Sequence, residues 1–261
     1  MRIELTLQSV KSEQLLSYNY QYQISSLLYR LLHNSSSEFA TILHDNGLSW
    51  DNKDYKLFSF SRIQLDDYTP AKEGLYVSGI LKLFISSPID DFVKHLVDGI
   101  FHQNEIRIGK AIFQPVELQI LRTPKFGTKT TGLCCSPLVV STARKMDGAL
   151  KPYYYRATDP EIGEAVGANL LRKHAAFTNK PPRDGLIKFL FDQNYLDRKS
   201  PKEVSKLITI KEGSQEATQI KGVIAPFHLT GPPELIEFAW HAGLGERTSQ
   251  GFGFWEIANA E

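Results

Sequence analysis

The stretch Pro233-Glu-Leu-Ile-Glu-Phe-Ala-Trp-His-Ala-Gly-Leu-Gly-Glu-Arg-Thr-Ser-Gln-Gly-Phe-Gly-Phe-Trp-Glu-Ile257 decides the fold. Pro233 to Ala242 predicts a helix. Proline stands near its start, where a missing N–H costs little, and Gly243 takes the C-terminal capping position. Four glycines follow as two Gly-x-Gly units, Gly243/Gly245 and Gly251/Gly253, with Arg247, Thr248, Ser249 and Gln250 between them. Phe252, Phe254 and Ile257 then predict a strand. A dinucleotide fingerprint or a P-loop needs strand, glycines and helix in that order. Here the helix comes first, which excludes both. Glycine admits positive φ and close approach, and successive free N–H groups make a concave anion site. Gly243, Gly245, Gly251 and Gly253 are therefore candidate phosphate contacts, with Arg247 adding charge. A glycine-rich connection without a ligand is the alternative.

Upstream of this helix and strand, the second half predicts a strand over Thr131 to Ala143. A helix follows over Asp159 to Phe177, with Asp159 as N-cap and Pro160 at the first helical position. Two strands are expected near Val204 to Lys211 and Gln219 to Leu229. The first half follows the same plan. Arg2 to Val10 alternates as a strand. Tyr18 to His33 has helical spacing of Ile24, Leu27, Leu28, Leu31 and Leu32. Ser35-x-x-Glu38 predicts a capped second helix with a Phe39/Ile42/Leu43 stripe. Tyr55 to Ile63 and Gly74 to Ile85 read as strands, Pro88 to Phe101 as a helix, and Glu105 to Leu121 as one or two strands. The expected fold is α+β: two tandem ferredoxin-like (βαββαβ, RRM-like) domains, 1–122 and 123–261, joined across the Pro/Gly/Lys-rich stretch Arg122 to Thr130. That fold hosts many functions, RNA binding on the four-stranded sheet among them.

The chain has 261 residues and a net charge of +1, so a nucleic-acid surface would have to be a local patch. Its two cysteines are adjacent. That argues against a disulfide framework and for the cytoplasm. No signal peptide is read at Met-Arg-Ile-Glu-Leu-Thr-Leu, and no apolar run reaches the ~20 residues of a membrane span. No metal or cofactor is expected. There is no His-Glu-x-x-His, no cysteine pair at metal spacing and no Gly-x-Ser-x-Gly elbow. Asp66-Asp67 and Asp90-Asp91 read as turn and helix-cap residues.

Tyr18, Tyr22, Ser25 and Tyr29 share one face of the first helix, beside its leucine stripe. His33 lies one turn beyond. His44 falls in the last turn of the short second helix, where a protonated imidazole is favoured. Twelve residues on, Lys56 opens Lys-Leu-Phe-Ser-Phe-Ser. Spacing alone does not raise His44 above His33. Between Arg122 and Arg156 stand seven cations, Lys129, Arg144, Lys145, Lys151 and Arg156 among them, against the single acid Asp147. Tyr153, Tyr154 and Tyr155 are interleaved. Cations that track phosphates and rings that stack on bases suit single-stranded RNA.

Together these features resemble the CRISPR-associated endoribonucleases that cut CRISPR precursor RNA at each repeat, Cas family six of the repeat-associated mysterious protein superfamily. The resemblance spans the chain. Its most specific part is Gly243-Leu-Gly-Glu-Arg-Thr-Ser-Gln-Gly-Phe-Gly-Phe254. The second part is Tyr20-Gln-Tyr-Gln-Ile-Ser-Ser-Leu-Leu-Tyr-Arg-Leu-Leu, then Ile42-Leu-His44-Asp and Lys56-Leu-Phe-Ser-Phe-Ser61. It implies that Tyr29, His44 and Lys56 are catalytic. It implies metal-independent cleavage by the RNA's own 2′-hydroxyl, leaving a cyclic phosphate. The implied partner is CRISPR repeat RNA. Other CRISPR-associated proteins and a second copy of the chain are compatible with it. The alternative function is a non-catalytic RNA-binding subunit of a CRISPR ribonucleoprotein.

Overall fold

A computed structural model describes residues 1–146, 148–181 and 187–258, so Asp147 lies outside the described residues. In the first half the elements run β1 (Arg2–Ser9), α1 (Gln21–Ser35), α2 (Ser37–Asp45), β2 (Gln64–Pro70), β3 (Gly74–Ser86), α3 (Asp90–Phe101) and β4 (Ala111–Leu121). Strand β1 lies antiparallel between β3 and β4, with Leu5 opposite both Leu83 and Leu118, and β2 pairs with the far side of β3. The spatial order β2-β3-β1-β4 is that of a ferredoxin-like sheet. Alternation does the sorting. Ile3, Leu5 and Leu7 of β1 and Leu81, Leu83 and Ile85 of β3 are fully buried. They meet the stripe Ile24, Leu27, Leu28 and Leu31 of α1 and Phe92, Val93 and Leu96 of α3.

The second half repeats the arrangement with β5 (Lys129–Cys134), α4 (Ile162–Thr178), β6 (Lys188–Phe191), β7 (Pro226–Thr230), α5 (Pro233–Ala242) and β8 (Trp255–Ile257). Its sheet runs β6-β7-β5-β8, all antiparallel. The fold is therefore a tandem pair of ferredoxin-like α+β units.

Several local expectations are corrected. Strand β5 stops at Cys134 rather than running to Ala143, because Pro137 has no N–H for a ladder. The segments expected as sheet strands near 204–211 and 219–229 instead give a separate hairpin, Ser205–Ile210 with Thr218–Val223, followed by β7. The sheet takes the four residues of β6 in their place. In the first half, the strand expected over Tyr55 to Ile63 is kept only at Ser59–Phe60, which pairs with β3; Lys53–Tyr55 belongs to a small hairpin with Leu48–Trp50, and the longer second sheet strand lies later, at Gln64–Pro70. Asp66 and Asp67 thus sit within β2 rather than in a turn, and Asp67 accepts from Ser78. The α2 cap is Ser36, whose Oγ accepts from Phe39 N; Ser35 still belongs to α1 and donates to Asp98. Asp159 is not the cap of α4. Its Oδ2 accepts from Arg156 N and the Tyr153 hydroxyl, closing a turn three residues before the helix.

The two units are pinned together by Arg2, fully buried in β1. Its Nη1 donates to Glu256 Oε2 at 2.5 Å and to Trp255 O at 3.2 Å, and its Nη2 donates to the Trp240 carbonyl. The guanidinium lies 3.5 Å from the Trp240 ring centroid and 4.1 Å from that of Phe254.

Candidate active site

The leucine stripe fixes the rotation of α1. Its flanking face therefore meets the glycine loop. Ser25 Oγ donates to Ser249 O at 2.8 Å, and the Tyr29 hydroxyl is hydrogen-bonded to the Ser249 side chain. Burial pushes the Tyr29 hydroxyl up to about 12, with the Ser249 bond working against the shift. It is a protonated phenol at neutral pH. The other two tyrosines of the stripe stand apart. Tyr22 is exposed, and Tyr18 precedes the helix and donates to Ala71 O.

Helix α2 brings His44 to Tyr29. The rings meet edge to face, 5.0 Å between centroids and 80° between planes, while Phe58 packs on Tyr29 from the core. His44 is exposed, and its Nδ1 lies 2.8 Å from Asp45 Oδ1. A proton on Nδ1 shared with Asp45 leaves Nε2 facing away from that carboxylate. A cavity of about 360 Å³ opens here, lined by Tyr29, Arg30, His33, Thr41, His44 and Asp45. The structure thus places both His33 and His44 on one cavity, and only His44 has the Tyr29 ring against it among the described residues.

Lys56 lines a neighbouring cavity of about 400 Å³, with Asn169, Lys173, Glu246, Arg247 and Ser249. Leu57 beside it is buried and adopts a left-handed φ of 47°. That backbone is uncommon and costly for a branched residue. It turns Leu57 into the core while Lys56 stays at the cavity. Burial lowers the Lys56 pKa, and Asp54 and Asp45 pull it back up. Asp45 therefore acts on both His44 and Lys56. Asp45 is not among the residues expected to be catalytic; its signal in the sequence is that it directly follows His44 at a helix end.

The glycine loop is largely buried, and it packs against α1 and Ser59–Phe60. The N–H groups of Gly243, Gly251 and Gly253 are already committed, to Ala239 O, Thr248 O and Pro137 O. The anion nest expected of these glycines is thus not free at those three. Their common property is shape. Gly253, at φ +69°, would place a Cβ 1.8 Å from Leu244 O, and Gly245, at φ +73°, would place one 2.3 Å from Val139 O. The loop lifts Arg247 into solvent in a left-handed conformation, with Nη1 donating to Gln250. Val139, Ile208, Ile210 and Ile220 back the loop through Phe252.

Arg144, Lys145 and Lys151 stand on the hairpin Ser141–Met146/Ala149–Tyr154, and Arg156 follows it. The Arg144 guanidinium lies 3.6 Å from the Tyr153 ring centroid. Glu246 ties this hairpin to the glycine loop by accepting from Ser141 N and Oγ. Lys129 is not on the hairpin; it is exposed on β5. Among the described residues no group of three or more His, Cys, Asp or Glu is placed to hold a metal ion, and no helix is long and apolar enough to cross a membrane.

Residues 15–119 match the family described as CRISPR-associated protein Cas6, N-terminal, and residues 121–257 match its C-terminal counterpart. The chain is 28% identical to CRISPR-associated endoribonuclease Cas6 1 of Methanocaldococcus jannaschii, over 100% of this chain and 93% of that protein. It is 27% identical to CRISPR-associated endoribonuclease Cas6 of Pyrococcus furiosus, over 92% of this chain and 83% of that one. A solved structure of a CRISPR-associated protein Cas6 superposes with a TM-score of 0.76 at 28% identity, covering 99% of each chain. Matched in both its halves, this chain belongs to the Cas6 family of CRISPR-associated proteins.

Proposed function

We propose that this protein is a metal-independent endoribonuclease that cuts CRISPR repeat RNA to release guide RNAs. The observation that carries the reading is the Tyr29–His44 ring contact beside one cavity, with Asp45 at Nδ1 of the imidazole. The relatives named as CRISPR-associated endoribonucleases support it. In the proposed reaction the 2′-hydroxyl next to the cut attacks the phosphorus. The proton leaves that hydroxyl, the P–O bond to the next nucleoside breaks, and the departing 5′-oxygen takes up a proton. The products are a cyclic phosphate and a 5′-hydroxyl. His44 Nε2 moves a proton at one of these oxygens, which contributes about 10²–10⁴-fold when the group is well placed. Tyr29, kept protonated, donates a hydrogen bond that orients the reacting group. Lys56 supplies positive charge toward the phosphorane.

The test is single-turnover cleavage of the host's repeat RNA in excess EDTA. Cutting is expected to persist there and to stop when the hydroxyl beside the cut is 2′-deoxy. His44→Ala is expected to lower the rate at least ~10²-fold with RNA affinity little changed. His33→Ala is the control, since it shares the cavity. A dead His33→Ala with an active His44→Ala would reverse the assignment. The second reading, a non-catalytic RNA-binding subunit, draws on Lys56 lining the neighbouring cavity rather than that of His44. Normal cutting by both variants, or no cutting by the wild type, would favour it.

A further inference from the structure

Two polar side chains on the inner face of α4 have no task in this reaction. Asn169 and Lys173 are one helical turn apart, 6% and 3% exposed, and both line the cavity that also holds Lys56 and Arg247. Lys173 Nζ donates to Gly243 O at 3.1 Å. No other acceptor for it is found among the described residues, so two of its three N–H groups remain to be satisfied. Asn169 Oδ1 is buried with no hydrogen-bond partner. Buried polar groups normally have partners, and an exception calls for an explanation. The two carboxylates lining the cavity have their hydrogen bonds elsewhere: Glu246, whose charge favours the charged form of Lys173, accepts from Ser141 N and Oγ, and Asp54 accepts from Ser49. Four cations, Lys53, Lys56, Lys173 and Arg247, line this one cavity.

We infer that this cavity is a ribonucleotide subsite, in which Lys173 donates to a backbone phosphate and Asn169 Oδ1 accepts from the 2′-hydroxyl beside it. The inference rests on the proposed reading that the chain binds RNA. The two groups ask for opposite things. Lys173 needs an acceptor that carries charge, and Asn169 Oδ1 needs a donor. A ribose 3′-phosphate offers both on adjacent carbons, since the 2′-hydroxyl is a donor as well as an acceptor. A 2′-deoxyribose 3′-phosphate offers only the first. Burial lowers the Lys173 pKa to about 7, and an anion in the cavity would favour its charged form. Arg247 at the rim adds charge without leaving solvent.

The full-length protein is titrated calorimetrically with adenosine 3′-monophosphate and with its 2′-deoxy counterpart, neither of which has a bond to be cut. The wild type is expected to bind the ribonucleotide at least fivefold tighter than the deoxy form. Lys173→Met should weaken both at least tenfold. Asn169→Leu should abolish the ribose preference while holding the deoxy affinity within about twofold. A thermal melt accompanies each variant, and if Lys173→Met does not fold, the preference lost in Asn169→Leu carries the test alone. Undiminished binding to Lys173→Met would overturn the subsite, as would a ribose preference that survives Asn169→Leu. If the wild type binds neither nucleotide but still cuts repeat RNA, the subsite fails and the catalytic reading stands. If the nucleotides bind as expected while His44→Ala cuts normally, the reverse holds.

Discussion

Lys173 gives the folded protein a pH dependence that can be measured without RNA. Its ammonium group would ordinarily titrate at 10.5 and is lowered to about 7 by burial, with Glu246 acting against the shift. Below that pH both folded and unfolded chains carry the charge, and the folded chain bears the full cost of burying it. Between about pH 7 and 10.5 the unfolded chain still holds a proton that the folded chain has released. Stability attributable to this group therefore rises with pH across that window, by at most about 1.4 kcal/mol per pH unit. Urea midpoints of the wild type and of Lys173→Met, measured from pH 6 to 10, should converge or cross in favour of the wild type as pH rises. A constant gap would show that the buried ammonium group is not titrating as described. Tyr29 could be singled out in the sequence because helical spacing puts it beside the leucine stripe. His44 needed the family resemblance to be told from His33. Lys173 gave no signal, since a lysine in a helix usually faces solvent, and only the packing of α4 against the glycine loop reveals it as buried.

At the scale of elements, the glycine loop behaves as a rigid bracket. Its hydrogen bonds to Ala239, Pro137 and Val139 hold it to α5 and to the chain after β5. Gly253→Ala combines a left-handed φ with a Cβ 1.8 Å from a backbone oxygen. A glycine-to-alanine change stabilises by roughly 0.4–1 kcal/mol where φ is tolerable; here it should destabilise by more than that amount. A lowered melting temperature with intact affinity in the folded fraction is the expected pattern. An unaltered melt would mean the loop has slack. The basic hairpin should act through charge. Arg144→Ala or Lys145→Ala should each reduce the slope of log affinity against log salt by about 0.7 if it removes one phosphate contact. A salt series on uncleavable repeat RNA reads this directly, and an unchanged slope would take the hairpin out of the interface. The terminal helix, loop and strand could be read from the sequence because proline, glycine and aromatic alternation mark them. The four-residue β6 could not, being too short to show a period. The hairpin at 205–223 alternates like a sheet strand, and local pattern cannot tell which sheet a strand will join.

Across the whole molecule, Arg2 binds β1 of the first unit to Trp240, Trp255 and Glu256 of the second. Burial lowers its guanidinium to about 10, with Glu256 as the main opposing charge. Replacing Arg2 by Met would leave carbonyls of Trp240 and Trp255 without this donor, each at about 1–3 kcal/mol if water cannot reach them. In wild-type urea unfolding, tryptophan fluorescence and far-ultraviolet circular dichroism should report one coincident transition. In Arg2→Met the second unit should melt first and the curves should separate. Coincident curves in the variant would mean that other contacts suffice to couple the halves. The duplicated plan was legible because each half shows its own run of strands and helices. The clamp was not, because it joins residues 254 apart in the chain. That separation has a consequence during synthesis. Residue 2 is made well before its partners at 240 to 256. A ribosome-bound chain can lay down the first sheet, yet the bracket beside Tyr29 and Lys56 does not yet exist. The candidate site would therefore stay incomplete until residues 243–256 have been made.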